Sequence, residues 1–467
     1  MIKFGTDGWR AVIADGFTFE NVRIVSQAIA DYVLRRGAQP QGMVIGYDNR
    51  FQGETFASIV AEVIVANGIP VCLAGEPLPT PVISFAARHY GLDGGIMITA
   101  SHNPAEYSGI KFKTPDGASA DPSITSQFEQ LAGASPVRRV DLGTARRNDM
   151  VMDLALTKPY FSWISNFIDR KVLGRTAYTV VVDSMYGVGK RYIEEMLKDS
   201  PHTVATVRGE RNPSFCGIAP EPIPANLTAC AEAVRERHAD VGLVTDGDAD
   251  RIGALDNNGG YIITPKIATL IALHLIKNRG WKGSFVKTLS CSVVIDRFAR
   301  EFNMPVIEKA VGFKNIVPYL MSHEALVGTE ESGGLGIQNH IPERDGILGS
   351  LLFLEALVGL GFKHAAEAMA FLDKNYGALR YHRVDRHVDS AQKDAFMRRV
   401  ASAPPTELLG SRVANIKTFD GVKFECADDS WLLLRFSGTE PLVRVYAEGP
   451  SQEHAEALTK LGEAMLA

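Results

Sequence analysis

Apolar positions Phe19, Val22, Val25, Ala28, Ile29, Tyr32 and Val33 recur at helical spacing and give way at Gly37, which predicts a helix over 19–36. Met43-Val44-Ile45-Gly46-Tyr47 is a short unbroken run, the pattern of a buried strand. A helix at 54–67, a strand at 69–73, a helix at 81–90 and a strand at 94–98 follow by the same reading. Strands alternating with amphipathic helices predict a parallel sheet with crossover helices. Residues 132–155 lose the pattern and read as a transition.

The alternation then restarts twice. Thr179-Val180-Val181-Val182 predicts a strand, Asp183 to Gly189 a turn, and a helix runs on to 198. A further strand and a loop carrying Pro213, Pro220, Pro222 and Pro224 precede a helix near 225–238 and the strand Val241-Gly242-Leu243-Val244. The third round has helices at 265–278 and 291–302 and strands at 284–288 and 304–308. It reaches Ala325-Leu326-Val327-Gly328 before a helix over 346–360. Past 375 the order changes to a helix near 390–402, strands over 431–436 and 442–448, and a last helix over 451–466. That order predicts an antiparallel sheet with helices on one face. The chain is therefore expected to be α/β: three similar α/β domains with mixed, mostly parallel sheets, plus a smaller C-terminal α+β domain, around one central cleft. The expected boundaries are 1–150, 151–255, 256–372 and 373–467.

Composition narrows the class. The 467 residues are 46% hydrophobic and 22% charged, enough for several cores and unlike a disordered chain. A net charge of -5 argues against a nucleic-acid surface. No uncharged apolar stretch reaches the roughly 18 residues of a membrane span. Cys72, Cys216, Cys230, Cys291 and Cys426 are dispersed, which fits buried thiols in a reducing compartment rather than a disulfide frame or zinc site. Met1-Ile2-Lys3-Phe4-Gly5 does not open a signal peptide, so a cytoplasmic protein without nucleic-acid or membrane partners is expected.

Three times an apolar strand runs into a loop of Gly with Ser, Asp or Glu, and ligands of such sheets gather at the carboxyl ends of strands. The first loop, Thr99-Ala100-Ser101-His102-Asn103-Pro104, puts a hydroxyl at the mouth of a buried strand. It suits a nucleophile or phosphoryl carrier, and equally a polar turn satisfied by its own backbone. In the second, Asp246, Asp248 and Asp250 alternate, so their carboxylates share one side of the backbone. Such crowding is costly without a cation, and three oxygens with positions left open suit Mg²⁺. A calcium loop is excluded, because Arg251 and Asn257 stand where it needs Gly and Glu. An aspartyl nucleophile of a sugar phosphatase is an alternative that leaves Ser101 without a role. The third loop, Glu330-Glu331-Ser332-Gly333-Gly334, offers acceptors for sugar hydroxyls or forms a surface turn. Lys309 and Lys314 flank Val311-Gly312-Phe313, and either could reach a phosphate or stand solvated as lone lysines usually do. Near the end, Arg435-Phe436-Ser437-Gly438-Thr439-Glu440-Pro441 with Arg444 reads as a phosphate clamp or as a plain hairpin loop. Together these parts fit phosphoryl transfer on a phosphorylated polyol.

In this order and over the whole chain, the four motifs resemble those of the α-D-phosphohexomutase superfamily, the phosphoglucomutases and phosphomannomutases. The resemblance implies reversible interconversion of hexose 1-phosphate and hexose 6-phosphate through a phosphoserine enzyme and a hexose 1,6-bisphosphate. Glucose 1,6-bisphosphate is then the implied activator, and hexose phosphates are the implied small-molecule partners. Ser101 would carry the phosphate, with Mg²⁺ held by Asp246, Asp248, Asp250 and a phosphate oxygen on Ser101. Lys111, in Gly109-Ile110-Lys111-Phe112, matches a general acid or base, and Arg10 and His102 match neighbours of the phosphoserine. Arg251 would reach the same phosphate, Glu330 and Ser332 the sugar hydroxyls, and Lys309 the substrate. Arg435, Ser437, Gly438, Thr439 and Arg444 match the site of the phosphate that is not transferred, on a last domain expected to rotate inward. One departure stands out. Many bacterial dual-specificity and glucosamine-type members have Ser-Gly-His in the sugar loop, and Gly334 takes the histidine's place, leaving its role to His340 or Arg344. The Glu330-Glu331-Ser332 form and Arg344-Asp345-Gly346 look closer to glucose-preferring members. Glucose phosphate therefore ranks ahead of mannose phosphate and glucosamine phosphate. A non-catalytic sugar-phosphate-binding paralogue would need neither Ser101 nor Lys111.

Overall fold

The computed structural model describes residues 2–5, 7–436 and 442–466. They form two compact units, Met1–Gly283 with Gly312–Ala368, and Ser284–Val311 with Met369–Ala467.

The first unit opens with a five-stranded sheet made of β1 (Trp9–Val12), β2 (Met43–Tyr47), β3 (Val71–Leu73), β4 (Gly94–Ile98) and β5 (Tyr107–Lys113), in the order β1-β5-β4-β2-β3. The strands β4, β2 and β3 are parallel, and β5 and β1 are added antiparallel. Crossover helices α1 (Phe19–Arg35), α2 (Gly53–Ala66) and α3 (Thr80–His89) stand where the periodicity predicts them. The Thr18 hydroxyl caps α1 by accepting from the Asn21 amide. A second sheet repeats the plan with β6 (Thr179–Asp183), β7 (Thr203–Val207), β8 (Val241–Thr245), β9 (Ile252–Asp256) and β10 (Tyr261–Ile262), in the order β10-β9-β8-β6-β7. Again three strands, β6, β7 and β8, pair in parallel, β9 pairs antiparallel with β8, and β10 pairs antiparallel with β9.

The second unit holds the parallel pair β11 (Ser284–Thr288) and β12 (Val306–Lys309). The first unit holds the antiparallel pair β13 (Ala325–Thr329) and β14 (Leu335–Ile337). The second unit also contains the antiparallel sheet of β15 (Arg380–His387), β16 (Glu407–Leu408), β17 (Ser411–Lys417), β18 (Val422–Cys426), β19 (Trp431–Phe436) and β20 (Leu442–Gly449). Its core gathers Phe396, Val422, Phe424, Leu432, Leu434 and Val445. Among the described residues no helix is long and apolar enough to cross a membrane. The thiols are free; four are buried as expected, but Cys216 is exposed, in a short turn where its φ is 50°.

Each of the three polar loops joins a buried strand to an antiparallel return strand: β4 to β5, β8 to β9, and β13 to β14. Hydrophobic patterning does not reveal the return strands. In β5, Ser108, Lys111 and Lys113 are buried, so the strand reads as polar although it lies inside the protein.

The helix Gly346–Gly359 fixes the segment just before it. The Asp345 carboxylate accepts from the Ile347 and Leu348 amides at 3.0 and 2.9 Å. Its second oxygen accepts from the Tyr160 hydroxyl at 2.7 Å and faces His340 Nε2 at 2.8 Å. Asp345→Ala removes the cap and leaves a buried hydroxyl without its acceptor, so unfolding in urea is expected to show a loss of about 2–4 kcal/mol. A loss under about 0.5 kcal/mol, the range of an ordinary surface change, would contradict this reading.

Candidate active site

The loop after β4 turns sharply at Ser101, whose φ of 52° is left-handed. That conformation costs a non-glycine residue about 1–2 kcal/mol, so something must hold it there. The Ser101 amide donates to Thr99 Oγ1 at 2.8 Å, and Thr99 Oγ1 donates to Asp48 Oδ2 at 2.6 Å. The Ser101 hydroxyl is buried and donates to Asp246 Oδ2 at 2.6 Å, while His102 Nδ1 lies 3.5 Å from it. Burial, together with Arg251, Arg10, Lys111 and Arg50, holds the imidazole well below its usual range, so His102 is neutral. Arg10 reaches the same loop by donating to Asn103 Oδ1 at 2.6 Å.

The loop after β8 lies against that serine. A Cβ on Gly247 would stand 2.6 Å from the Ser101 carbonyl oxygen, so only glycine allows this approach. Asp246, Asp248 and Asp250 are fully buried, and one oxygen from each lies within 4.8 Å of the others. Lys111 Nζ sits 2.7 Å from Asp248 Oδ2, 2.7 Å from Asp250 Oδ2 and 3.0 Å from Asp7 Oδ2. Burial alone would lower the Lys111 pKa, but these carboxylates outweigh it and hold the ammonium above the ordinary lysine range. Asp248 also accepts from Thr80 Oγ1 at 2.5 Å and is kept well below the carboxylate range: burial opposes this, and Lys111 and Thr80 prevail. For Asp246 the lowering effects of Arg251 and the Ser101 hydroxyl do not prevail. Burial and the Asp248 and Asp250 charges push it well above the usual range.

The triplet therefore has room for a further positive charge. Oδ1 of Asp248 and Oδ1 of Asp250 are buried and accept no hydrogen bond from the described residues, although Arg251 Nε lies 4.0 Å from the latter. These two oxygens and Asp246 form an all-oxygen donor set that fits a hard divalent cation such as Mg²⁺. A cation there would supply the orphaned oxygens with a partner and reverse the upward push on Asp246.

The loop after β13 joins the same cluster. Arg251 Nη1 donates to the Ser332 carbonyl at 3.4 Å, and the Ile252 amide donates to the Gly333 carbonyl at 2.9 Å. Glu330 is buried, accepts from the Gly312 amide at 3.0 Å and lies 3.8 Å from Arg344 Nη1. Arg344 also donates to Asp250 Oδ2 at 2.8 Å and to Asp7 Oδ2, so Asp7 bridges Arg344 and Lys111. A Cβ on Gly334 would meet Arg344 Cδ and Glu330 Oε2, each at 2.8 Å. The Arg344 stem thus fills the space beside residue 334. The expectation for His340 is corrected: Trp163 Nε1 donates to its Nδ1 at 2.9 Å and Asp345 holds its Nε2, so the ring serves the helix cap rather than the sugar loop.

Ser101, Lys111, His102, Arg10, the three aspartates, Arg251, Glu330, Ser332 and Arg344 all belong to the first unit. Lys309, Arg435 and Arg444 belong to the second, and Ser437, Gly438 and Thr439 lie outside the described residues. Arg435 and Arg444 stand directly opposite each other on β19 and β20, Arg435 bonded to Asp420 at 2.9 Å and Arg444 3.6 Å from Asp385. Sequence reasoning passed over Asp7 and Thr80. Asp7 lies between Gly5 and Gly8 outside the four motifs, and Thr80 has no motif around it.

Profiles of the phosphoglucomutase/phosphomannomutase family match four successive pieces of the chain. Alpha/beta/alpha domain I covers residues 1–136, domain II 158–260, domain III 265–375 and the C-terminal domain 388–460. A phosphoglucomutase/phosphomannomutase of Thermococcus kodakarensis is 31% identical over 466 residues, 99% of this chain and 98% of its own length. A Pyrococcus horikoshii protein provisionally named a phosphoglucosamine mutase is 31% identical over 463 residues, 98% of this chain and 96% of its own. A crystal structure from Thermus thermophilus, provisionally assigned as a phosphomannomutase, superposes with a TM-score of 0.86 at 32% identity, covering 100% of this chain and 99% of that one. Matched in all four domains and along its whole length, the chain belongs to the phosphoglucomutase/phosphomannomutase family of the α-D-phosphohexomutase superfamily.

Proposed function

We propose that this protein interconverts hexose 1-phosphate and hexose 6-phosphate, with glucose phosphate preferred, by way of a phosphate carried on Ser101. The observation that carries the reading is the buried Ser101 hydroxyl, 2.6 Å from Asp246 within a carboxylate triplet two of whose oxygens accept no hydrogen bond from the described residues. A serine used only for a turn needs no such surroundings. Ser101 gives its phosphoryl group to a sugar hydroxyl, forming a hexose 1,6-bisphosphate. It takes the other phosphate back after the intermediate turns over. Asp246, Asp248 and Asp250 hold the divalent cation, which when bound neutralises charge on the phosphoryl group. Lys111, kept as an ammonium, balances phosphate charge, and the proton that leaves the attacking sugar hydroxyl ends on the departing serine oxygen, which restores the Ser101 hydroxyl. Arg10, Arg251 and His102 orient the phosphate. Glu330 and Ser332 accept sugar hydroxyls, and Arg344 stands in for the side chain absent at Gly334. Lys309 reaches the substrate. Arg435 and Arg444, like charges facing each other across two strands, pair best around an anion, which supports a site for the second phosphate with Ser437, Gly438 and Thr439.

Glucosamine phosphate is the second reading, favoured by the similarity to the Pyrococcus horikoshii protein. Rates on glucose, mannose and glucosamine phosphates, with glucose 1,6-bisphosphate as activator, rank the three. Steady release of inorganic phosphate without isomer would instead make the protein a sugar phosphatase.

The purified chain is expected to carry one phosphate by intact mass. Ser101→Ala should lose both that mass and about 10⁴-fold in isomerisation rate; wild-type turnover in the variant would end the proposal. Burial raises Glu330 from its ordinary value of 4.5 to about 7, against the lowering effect of Arg344. Between those values the folded protein holds a proton that the unfolded chain has released. Raising the pH therefore costs stability, at most roughly 1.4 kcal/mol per pH unit. The stability of the wild type relative to Glu330→Gln should fall as pH rises from 5 towards 7 and level off above it. A difference that stays flat or grows would contradict this assignment.

A further inference from the structure

We infer that Arg50 is a positioning residue for phosphoryl transfer, setting the shape of the loop that presents Ser101 without meeting the substrate. The inference rests on the proposed phosphate-carrying role of Ser101.

Arg50 follows β2 and is fully buried. Its Nη2 donates to the carbonyls of Ser101 at 2.7 Å and Asn103 at 2.6 Å. Its Nη1 donates to those of Pro104 at 2.7 Å and Tyr107 at 3.0 Å. One guanidinium thus gathers four carbonyl oxygens of the serine loop. Nε lies 3.3 Å from Asp48 Oδ2, the oxygen that also accepts from Thr99 Oγ1. The Phe215 ring covers the guanidinium, with its centroid 4.9 Å from Cζ.

Both ends of Ser101 are therefore tied to one ion pair. Its amide is held through Thr99 to Asp48, and its carbonyl is held directly by Arg50. This clamp over-determines the left-handed turn at Ser101 while leaving the hydroxyl outside it. In-line transfer needs the serine oxygen placed to a fraction of an ångström, and a misplacement of 1 Å costs about 10²-fold in rate. A fold-stabilising cation would need only partners. Arg50 directs its donors at the one loop whose geometry the reaction depends on. Lysine cannot replace it, because an ammonium offers its donors from a single atom and cannot span four carbonyls.

The test compares full-length wild type, Arg50→Lys and Thr99→Val, the last cutting the amide side of the clamp while keeping Arg50. Steady-state kinetics with glucose 1-phosphate and the activator glucose 1,6-bisphosphate are read beside urea unfolding. The inference predicts that Arg50→Lys remains folded at assay temperature, with kcat down about 10²-fold and KM within about threefold of wild type. Thr99→Val is predicted to lower kcat about 10-fold with the same unchanged KM, and it decides the matter if Arg50→Lys does not fold. A folded Arg50→Lys with kcat within threefold of wild type overturns the inference, as does a loss that appears only in KM or only in step with the unfolded fraction. A wild type that neither isomerises nor carries phosphate overturns the reading of Ser101, and this inference with it.

Discussion

Three carboxylates buried on alternate residues of one loop repel each other too strongly to coexist without positive charge among them. Much of the surrounding site answers that constraint. Lys111 comes in on β5 and takes one oxygen each from Asp248 and Asp250. Arg344 takes Asp250 from the other side, and Asp7 ties the two cations together. What they leave is Asp246, bonded to the Ser101 hydroxyl, and far oxygens of Asp248 and Asp250 that accept no hydrogen bond from the described residues, with Arg251 Nε 4.0 Å from that of Asp250. The residual negative charge thus lies where a metal-bound phosphoryl group would be handled.

The geometry that allows this is modular. Each working loop joins a buried strand to its antiparallel return strand, so each is anchored at both ends by a sheet. The loops are then stitched together through backbone. The Thr80 amide donates to the Asp248 carbonyl at 2.9 Å, and the Gly346 amide donates to the Ala249 carbonyl at 3.1 Å. A Cβ on Gly346 would lie 2.2 Å from the Arg251 carbonyl oxygen, so the helix that begins at Gly346 can approach the loop after β8 only through glycine. Rigid contacts of this kind suit a reaction in which catalysis is mainly positioning and charge neutralisation.

Much of this was legible in the chain itself. Apolar periodicity located α1, α2, α3 and the parallel strands, because those elements bury uniform apolar faces. The motifs at Ser101, Asp246 and Glu330 marked the loops. Strands β1, β5 and β14 escaped because they are short or carry buried polar residues, as Lys111 and Lys113 do on β5. Arg50 escaped for a related reason. An arginine in a turn reads as solvated, and only the convergence of four carbonyls from residues distant in sequence gives it a place. His340 went the other way: a histidine near a sugar loop suggests a ligand, but Asp345 and Trp163 claim both its ring nitrogens.

The central claim is that the aspartate triplet is built around a divalent cation next to Ser101. Crystals grown with Mn²⁺, measured where manganese scatters anomalously, test it most directly. The account predicts a single strong peak bounded by oxygens of Asp246, Asp248 and Asp250, at roughly the 2.0–2.2 Å of a hard cation–oxygen bond. An ordered triplet with no peak among its oxygens at saturating Mn²⁺ would contradict it.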